Sequence, residues 1–211
     1  MDTGLDTLIE ISGDPHVSVS YPGSAPLCYD ISGTDRDELL ILNSENLKIT
    51  GGLVDEGNSH HHSVRLETIK ISSKFGEIEI GHDFLTIFRL RKTRHVMKYD
   101  TDRKLDTPNF SVEIFSQATR RLPGGMIKIG KNVFNFSIKV AKRSIKFRIF
   151  HLETNVSDTL GFSKFSKYEI LENNLIQVGD EKFNSRWDKE KLCHVILNPP
   201  QPRLIGQKTP K

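Results

Sequence analysis

Apolar and polar side chains alternate every second residue over much of this chain, and that alternation limits the possible folds more than any other feature. Because successive side chains of a β-strand point to opposite faces, a two-residue period predicts strands with one buried face and one solvated face. The alternating stretches are HVSVSY (16–21), VRLETIKIS (64–72), GEIEIGH (76–82), FSVEIF (110–115), NVFNFSIKV (132–140) and SIKFRIF (144–150).

Glycine and proline punctuate the sequence between these stretches. We interpret Pro22-Gly23, Gly51-Gly52, Gly57-Asn58 and Pro123-Gly124-Gly125 as turns. Strands separated by turn signals at intervals of about 8–12 residues are typical of sandwiches and barrels. The sequence therefore predicts an all-β, sandwich- or barrel-like antiparallel domain with few or no helices.

Three segments depart from simple alternation. The apolar positions of residues 64–72 slip by one residue, which predicts a β-bulge. In DRDELLILNSEN (35–46), Asp35 suits a helix N-cap, whereas the run Leu39 to Leu42 equally indicates a buried strand. RWDKEKLCHVIL (186–197) is ambiguous at its start and typical of a strand at its end.

The length and composition suit one globular domain with a real core. The chain has 211 residues, of which 36% are apolar and 27% are charged. We predict a β domain over residues 14–197, a polar lead-in over residues 1–13 and a Pro-rich, basic tail over residues 198–211. The tail reads NPPQPRLIGQKTPK.

Charge and hydropathy argue against two classes of partner. A net charge of +3 is too weak by itself to predict nucleic-acid binding. No apolar run approaches the roughly 18–20 residues of a membrane-spanning helix, and MDTGLDTLIEIS (1–12) lacks the features of a signal peptide. The chain is therefore expected to be cytosolic, exported by another route, or a fragment of a longer secreted protein.

The two cysteines, Cys28 and Cys193, are compatible with two states. They are either unrelated thiols or one disulfide that joins the first and last strands. The residues alone favour neither state. No CxxC or zinc-type Cys/His spacing occurs, and HHH (60–62) suits a solvated loop better than a metal site. We expect no metal and no other cofactor.

Two basic clusters predict a surface for sulfated glycans. Arg91, Lys92 and Arg94 lie in one connector. Lys142, Lys146 and Arg148 share one face of a predicted strand, although a merely solvated sheet face is the simpler interpretation of either cluster alone. Sequons begin at Asn109, Asn135 and Asn155, and we take Asn109 and Asn155 as candidate glycosylation sites because Asn135 falls inside a strand.

The sequence SGDPH (12–16) carries the most specific chemistry in the chain. The side-chain carboxyl of Asp14 can attack its own main-chain carbonyl and close a cyclic anhydride, because the nitrogen of Pro15 is a tertiary-amide leaving group. Gly13 permits the backbone to bend, and His16 can protonate the leaving nitrogen as a general acid. Water would then cut the chain, whereas a sugar hydroxyl would form an ester. The ordinary alternative is an Asx-turn that leads into a strand.

A resemblance accompanies these residues. SGDPHVSVSYPGSAPLCYDIS (12–32) resembles the opening of the C-terminal, propeptide domain of inter-alpha-trypsin inhibitor heavy chains. ILNSENLKITGGLVD (41–55), DTLGFSKF (158–165) and RWDKEKLCHVI (186–196) resemble later segments of that domain, so the likeness covers most of the chain. Val17 and His194 stand where the family has aromatic residues.

The resemblance implies a role in hyaluronan metabolism and in stabilisation of the extracellular matrix. In the family the Asp-Pro bond is cut and the Asp α-carboxyl is esterified to chondroitin sulfate, from which the heavy chain passes to hyaluronan. Asp14 then matches the esterified residue, Pro15 the new N-terminus and His16 the motif histidine. Cys28 and Cys193 match the family's paired cysteines, which favours the disulfide. The family's upstream domains are absent from this chain, and its heavy chains carry no protease-inhibitory Kunitz module.

Three functional hypotheses follow. The first is an extracellular domain that presents Asp14-Pro15 for cleavage and ester transfer, with at most a single turnover and no further enzymatic activity. The second is a non-covalent glycosaminoglycan- or protein-binding β module whose Asp14-Pro15 bond stays whole. The third is an unrelated cytosolic β domain in which Cys28 and Cys193 are free thiols.

Overall fold

The computed structural model describes residues 8–12, 16–20, 23–55, 64–88, 94–116, 120, 122–139, 143–152, 168–199 and 204–205. Within these ranges the chain forms strands and one 3₁₀ turn, Glu172–Asn174. The strands are β1 Leu8–Ser12, β2 His16–Ser20, β3 Leu27–Asp30, β4 Glu38–Asn43, β5 Leu47–Asp55, β6 Val64–Ser73, β7 Gly76–Ile80, β8 Phe84–Phe88, β9 Arg94–Lys98, β10 Arg103–Thr107, β11 Phe110–Phe115, β12 Gly124–Ile129, β13 Asn132–Lys139, β14 Ser144–His151, β15 Glu169–Ile170, β16 Leu175–Val178, β17 Glu181–Asp188, β18 Cys193–Ile196 and β19 Leu204–Ile205.

The strands form two sheets that pack as a sandwich, which confirms the predicted all-β class. The larger sheet has the order β10-β11-β12-β13-β14-β1-β2-β3-β18-β17-β16-β15, and the smaller has the order β19-β4-β5-β6-β7-β8-β9. Neighbouring strands are antiparallel except β3 and β18, which are parallel. Thus the last part of the chain joins the first hairpin within one sheet.

One apolar core lies between the sheets. The inward positions of β1 and β2, from Ile9 to Val19, are buried with those of β14 and of the smaller sheet. Burying apolar area at roughly 25 cal/mol per Å² is the main stabilising contribution to such a core. The outward positions of the same strands are therefore free to carry polar chemistry.

The predicted bulge is confirmed between β5 and β6. Leu53 pairs with Leu66 and Gly52 pairs with Thr68, so Glu67 is the extra residue on its strand. The ambiguous segment 35–46 contains strand β4, and its run from Leu39 to Leu42 is buried. In the segment 186–197, β17 ends at Asp188 and β18 begins at Cys193.

Two predicted boundaries are wrong. The sequence predicts that residues 8–12 belong to a polar lead-in, but they form β1, an interior strand between β14 and β2. Leu204–Ile205, assigned to the tail, pairs with β4 at the edge of the smaller sheet. Both segments are short, and their pairing as strands involves β14 and β4, which are far away in sequence.

Two glycine pairs that the sequence predicts as turns lie inside strands. Gly51-Gly52 falls within β5 and Gly124-Gly125 begins β12. A Cβ atom on Gly51 would clash with the side chain of Leu66, and one on Gly124 would clash with the carbonyl oxygen of Phe136. These glycines permit close packing rather than a change of chain direction.

Candidate functional site

Strands β1 and β2, which flank the Asp14-Pro15 bond in sequence, pair as antiparallel neighbours. Ser12 pairs with His16, and the ladder continues to Leu8 opposite Ser20. Gly13, Asp14 and Pro15, which link these strands in sequence, lie outside the described residues. The strands on both sides of these residues pair with each other in the larger sheet. The bond therefore belongs to a link of three residues between two fixed points.

His16 forms a short contact with an acidic residue of the next strand. His16 and Asp30 are cross-strand partners between β2 and β3, and Nδ1 of His16 lies 2.6 Å from Oδ1 of Asp30. The histidine side chain is 24% exposed and the aspartate side chain is 69% exposed, so the pair lies at the surface with its imidazole partly sheltered. The motif histidine is thus held by its neighbour rather than free to rotate.

A disulfide between Cys28 and Cys193 lies beside the same histidine. It joins β3 to β18, with Cα atoms 5.9 Å apart, and both residues are buried. The predicted disulfide between Cys28 and Cys193 is confirmed, and the alternative of two free thiols is wrong. A ring nitrogen of His16 lies within 4.8 Å of both sulfur atoms. Because disulfide sulfurs are not thiolates, this group does not form a metal site in its oxidised state.

The outer face of the larger sheet extends from His16 to a basic strand. Lys146 of β14 pairs with Ser12, which pairs in turn with His16. Adjacent strands are about 4.8 Å apart, so the Cα atoms of Lys146 and His16 are separated by about 10 Å. Arg148 lies two residues along on the same face, while Ile145, Phe147 and Ile149 are buried, as the sequence predicted.

Glu10 holds both of these cations. Its carboxylate oxygens lie 2.6 Å from Nζ of Lys146 and 2.6 Å from Nε of Arg148. Burial raises the pKa of Glu10, but the hydrogen bonds and charges of the two cations outweigh it and leave that pKa below its ordinary value. The sequence does not indicate Glu10 as a site residue, because Glu10 lies within the predicted lead-in.

A groove of about 280 Å³ opens beside Lys146 and Arg148. The guanidinium of Arg120 lies 4.2 Å from the ring centroid of Phe115, a cation–π arrangement at one wall. The lining thus includes three cations, and two of them, Lys146 and Arg148, pair with the carboxylate of Glu10. An aromatic side chain, an amide and cations together suit a carboxylated or sulfated sugar. The lining includes Phe115, Arg120, Leu122, Asn135, Lys146 and Arg148.

The remaining predicted residues are dispersed. Arg94 is exposed on β9, an edge strand of the smaller sheet, so it does not share a face with Lys146. Asn109 is exposed in the turn between β10 and β11, and Asn135 is half-buried inside β13. The other predicted sites lie outside the described residues: Arg91, Lys92, Lys142, Asn155 and the histidines 60–62.

A comparison with protein-family models finds no match for this chain, and no curated protein is significantly similar to it in sequence. Among the residues that the structure describes, none form a helix with the length and hydropathy needed to cross a bilayer.

Proposed function

We propose that this chain acts as a C-terminal domain of the inter-alpha-trypsin inhibitor heavy-chain kind, which presents Asp14-Pro15 for cleavage and ester transfer to chondroitin sulfate or hyaluronan outside the cell. The observation that carries this proposal is the arrangement around His16. The residue is covalently next to Pro15, forms a contact with Asp30, and lies beside a disulfide that clasps the sheet.

The sequence motif and the disulfide support the same family. GDPH opens the likeness, and Cys28 and Cys193 correspond to its flanking cysteines. A disulfide is typical of secreted proteins, in agreement with an extracellular role in hyaluronan metabolism and matrix stabilisation. Upstream heavy-chain domains are the expected partners on the N-terminal side of Asp14.

The proposed reaction needs only groups of this chain and an acceptor hydroxyl. A side-chain carboxylate oxygen of Asp14 bonds to its own main-chain carbonyl carbon, and the bond from that carbon to the Pro15 nitrogen breaks. Protonated His16 gives its proton to that nitrogen, which leaves as the amine of a new chain. The acceptor hydroxyl then attacks the α-carbonyl of the anhydride, its proton passes to neutral His16, and the side-chain carboxylate is released. Each chain reacts once.

The groove beside Lys146 supplies a site for the acceptor. Its cations suit the sulfates and carboxylates of a glycosaminoglycan, and it lies on the same sheet face as His16. A sugar chain held there would extend along the sheet toward the β1–β2 connection. Arg94 on the smaller sheet is not part of this path.

Cleavage at mildly acidic pH tests the proposal. We expect denaturing mass spectrometry of the incubated full chain to detect a fragment that begins at Pro15. Hydroxylamine should convert the anhydride of Asp14 to a hydroxamate, and chondroitin oligosaccharides should yield an ester. Because a general acid contributes about 10²–10⁴-fold, His16→Ala should slow cleavage by about 100-fold or more.

His95→Ala is the matched control, because His95 is exposed on the edge strand β9 of the other sheet. The cleavage rate of His95→Ala should equal that of the wild type. An intact wild-type chain, or equal cleavage of His16→Ala and the wild type, would count against self-processing.

A second candidate function is non-covalent glycan binding, which the cationic groove favours by itself. In that case retention of the protein on immobilised chondroitin sulfate would fall with added salt and with Arg120→Ala. The Asp14-Pro15 bond would stay intact on incubation. Retention followed by cleavage and ester formation would instead favour the first function.

A further inference from the structure

Asp30 lies outside the GDPH motif and was not a predicted site residue, yet its carboxylate oxygen lies 2.6 Å from Nδ1 of the motif histidine. It ends β3, directly across the sheet from His16, and its side chain is mostly exposed to solvent. An exposed carboxylate does not need a histidine partner for its own solvation. The short contact therefore has its main consequence for His16.

The contact determines which nitrogen of His16 carries hydrogen. An ionised carboxylate has only acceptors, so a 2.6 Å contact with Oδ1 requires Nδ1 of the ring to donate. In the neutral ring Nε2 is then the acceptor, and in the protonated ring Nε2 carries the second, transferable hydrogen. The carboxylate thus assigns separate roles to the two nitrogens.

The surroundings of His16 fix the orientation of its imidazole ring as well as its tautomer. The Cys28–Cys193 disulfide lies within 4.8 Å of a ring nitrogen, and the β2–β3 pairing fixes the backbone on which both His16 and Asp30 stand. Ring rotation about its side-chain bonds would break the contact with Asp30. The imidazole is therefore held in one orientation on β2, on the residue that follows Pro15 in sequence.

We propose that Asp30 is a positioning residue, which holds His16 with its hydrogen on Nδ1 and leaves Nε2 as the nitrogen that gives up a proton. The catalytic part of this inference rests on the proposed function. Proton delivery converts the Nε2–H of the imidazolium into a bare Nε2 while the Nδ1–H remains bonded to Asp30. The departing amine gains that proton as the carbon–nitrogen bond breaks.

The first experiment determines the tautomer of His16 and does not depend on cleavage. Two-bond ¹H–¹⁵N spectra of the full chain at alkaline pH should assign the hydrogen to Nδ1 in the wild type. Asp30→Asn, whose amide can donate to Nδ1, should move the hydrogen to Nε2, and Asp30→Glu should restore it to Nδ1. Asp106→Asn, which alters an exposed carboxylate 2.9 Å from Lys104, is the matched control.

The second experiment is a double-mutant cycle on the cleavage rate. We expect Asp30→Asn to slow cleavage by about 10- to 100-fold in the wild-type background, and to have no further effect in a His16→Ala background. A residue with a merely structural role would slow both backgrounds alike. Equal slowing of both backgrounds by Asp30→Asn would overturn the inference. So would a hydrogen that stays on Nδ1 of His16 in Asp30→Asn.

The two experiments separate the inference from the proposed function. If the wild-type chain never cleaves although His16 carries its hydrogen on Nδ1, the processing function fails, and the catalytic role of Asp30 fails with it. If the chain cleaves but the double-mutant cycle is additive, the processing function stands and Asp30 is not its positioning residue.

Discussion

At the scale of single residues, Glu10 affects both the stability of the fold and the charge of the basic groove. Its carboxylate is the partner of Lys146 and of Arg148, so both cations are oriented by one side chain. Because Glu10 is negatively charged, these two contacts partly neutralise the positive charge of Lys146 and Arg148 in the absence of a ligand. Lys146 and Arg148 are therefore structural residues as well as candidate ligand-binding residues.

We predict that Glu10→Gln lowers the free energy of unfolding at neutral pH by about 1–2 kcal/mol. The pKa of Glu10 lies below its ordinary value of 4.5 in the folded chain, so its stabilising contribution is present above that value. This contribution is lost as the pH falls through the lower, folded-state pKa. Denaturant titrations from about pH 6 to about pH 3 should show the gap between wild type and variant closing.

Glu79→Gln is the control for that prediction, because its carboxylate lies 3.9 Å from Lys70 in a looser pair. Its effect on unfolding should be smaller than that of Glu10→Gln. A gap between Glu10→Gln and the wild type that stays constant down to about pH 3 would contradict the assigned role of the ion pairs.

At the scale of elements, the glycine pairs show where local pattern and packing diverge. Gly124 begins β12 between Phe115 of β11 and Ser137 of β13. The backbone of β13 approaches so closely that no Cβ fits beside the carbonyl oxygen of Phe136. The missing side chain is thus a requirement of the sheet at the edge of the groove.

Gly124→Ala should therefore destabilise the domain by about 1–3 kcal/mol, the usual cost of forcing an extra group into a packed interior. Thermal or denaturant unfolding measures this directly. Gly81→Ala is the comparison, because the nearest atom to its Cβ, the carbonyl oxygen of Phe84, would be 3.3 Å away. Equal stability of Gly124→Ala and the wild type would contradict the close approach of β13 to Gly124.

The sequence predicted the strands well because alternation is a local property. It misread Gly51-Gly52 and Gly124-Gly125, since a glycine needed for a turn and one needed for close strand packing look alike in sequence. It also missed Asp30 and Glu10 as site residues. Their importance comes from which residue lies opposite on the neighbouring strand, and that register depends on the whole sheet.

At the scale of the whole molecule, the disulfide joins parts that are 165 residues apart in sequence. It links β3 to β18, which also form a short parallel pairing. Strands β15 to β18 are attached to the rest of the larger sheet through this junction. The clasp therefore affects the cohesion of the sheet as well as the entropy of the unfolded chain.

Replacing both cysteines, Cys28→Ser with Cys193→Ser, should lower the free energy of unfolding by about 2–5 kcal/mol. Chain entropy for so long a loop accounts for about 5 kcal/mol at most. Amide hydrogen exchange should increase first in β15 to β18. A reducing agent should destabilise the wild type toward the level of the variant and leave the variant unchanged, whereas an unaffected wild type would contradict the role of the clasp.

The interior position of β1 determines what a cut between residues 14 and 15 can release. Hydrolysis would remove one covalent link, but Leu8–Ser12 would keep its hydrogen-bonded ladders to β14 and β2, with Ile9 and Ile11 still in the core. The nicked protein would therefore stay together as a two-piece complex that migrates as one particle. Its N-terminal piece, with any sugar attached, departs only when that strand is extracted from the sheet.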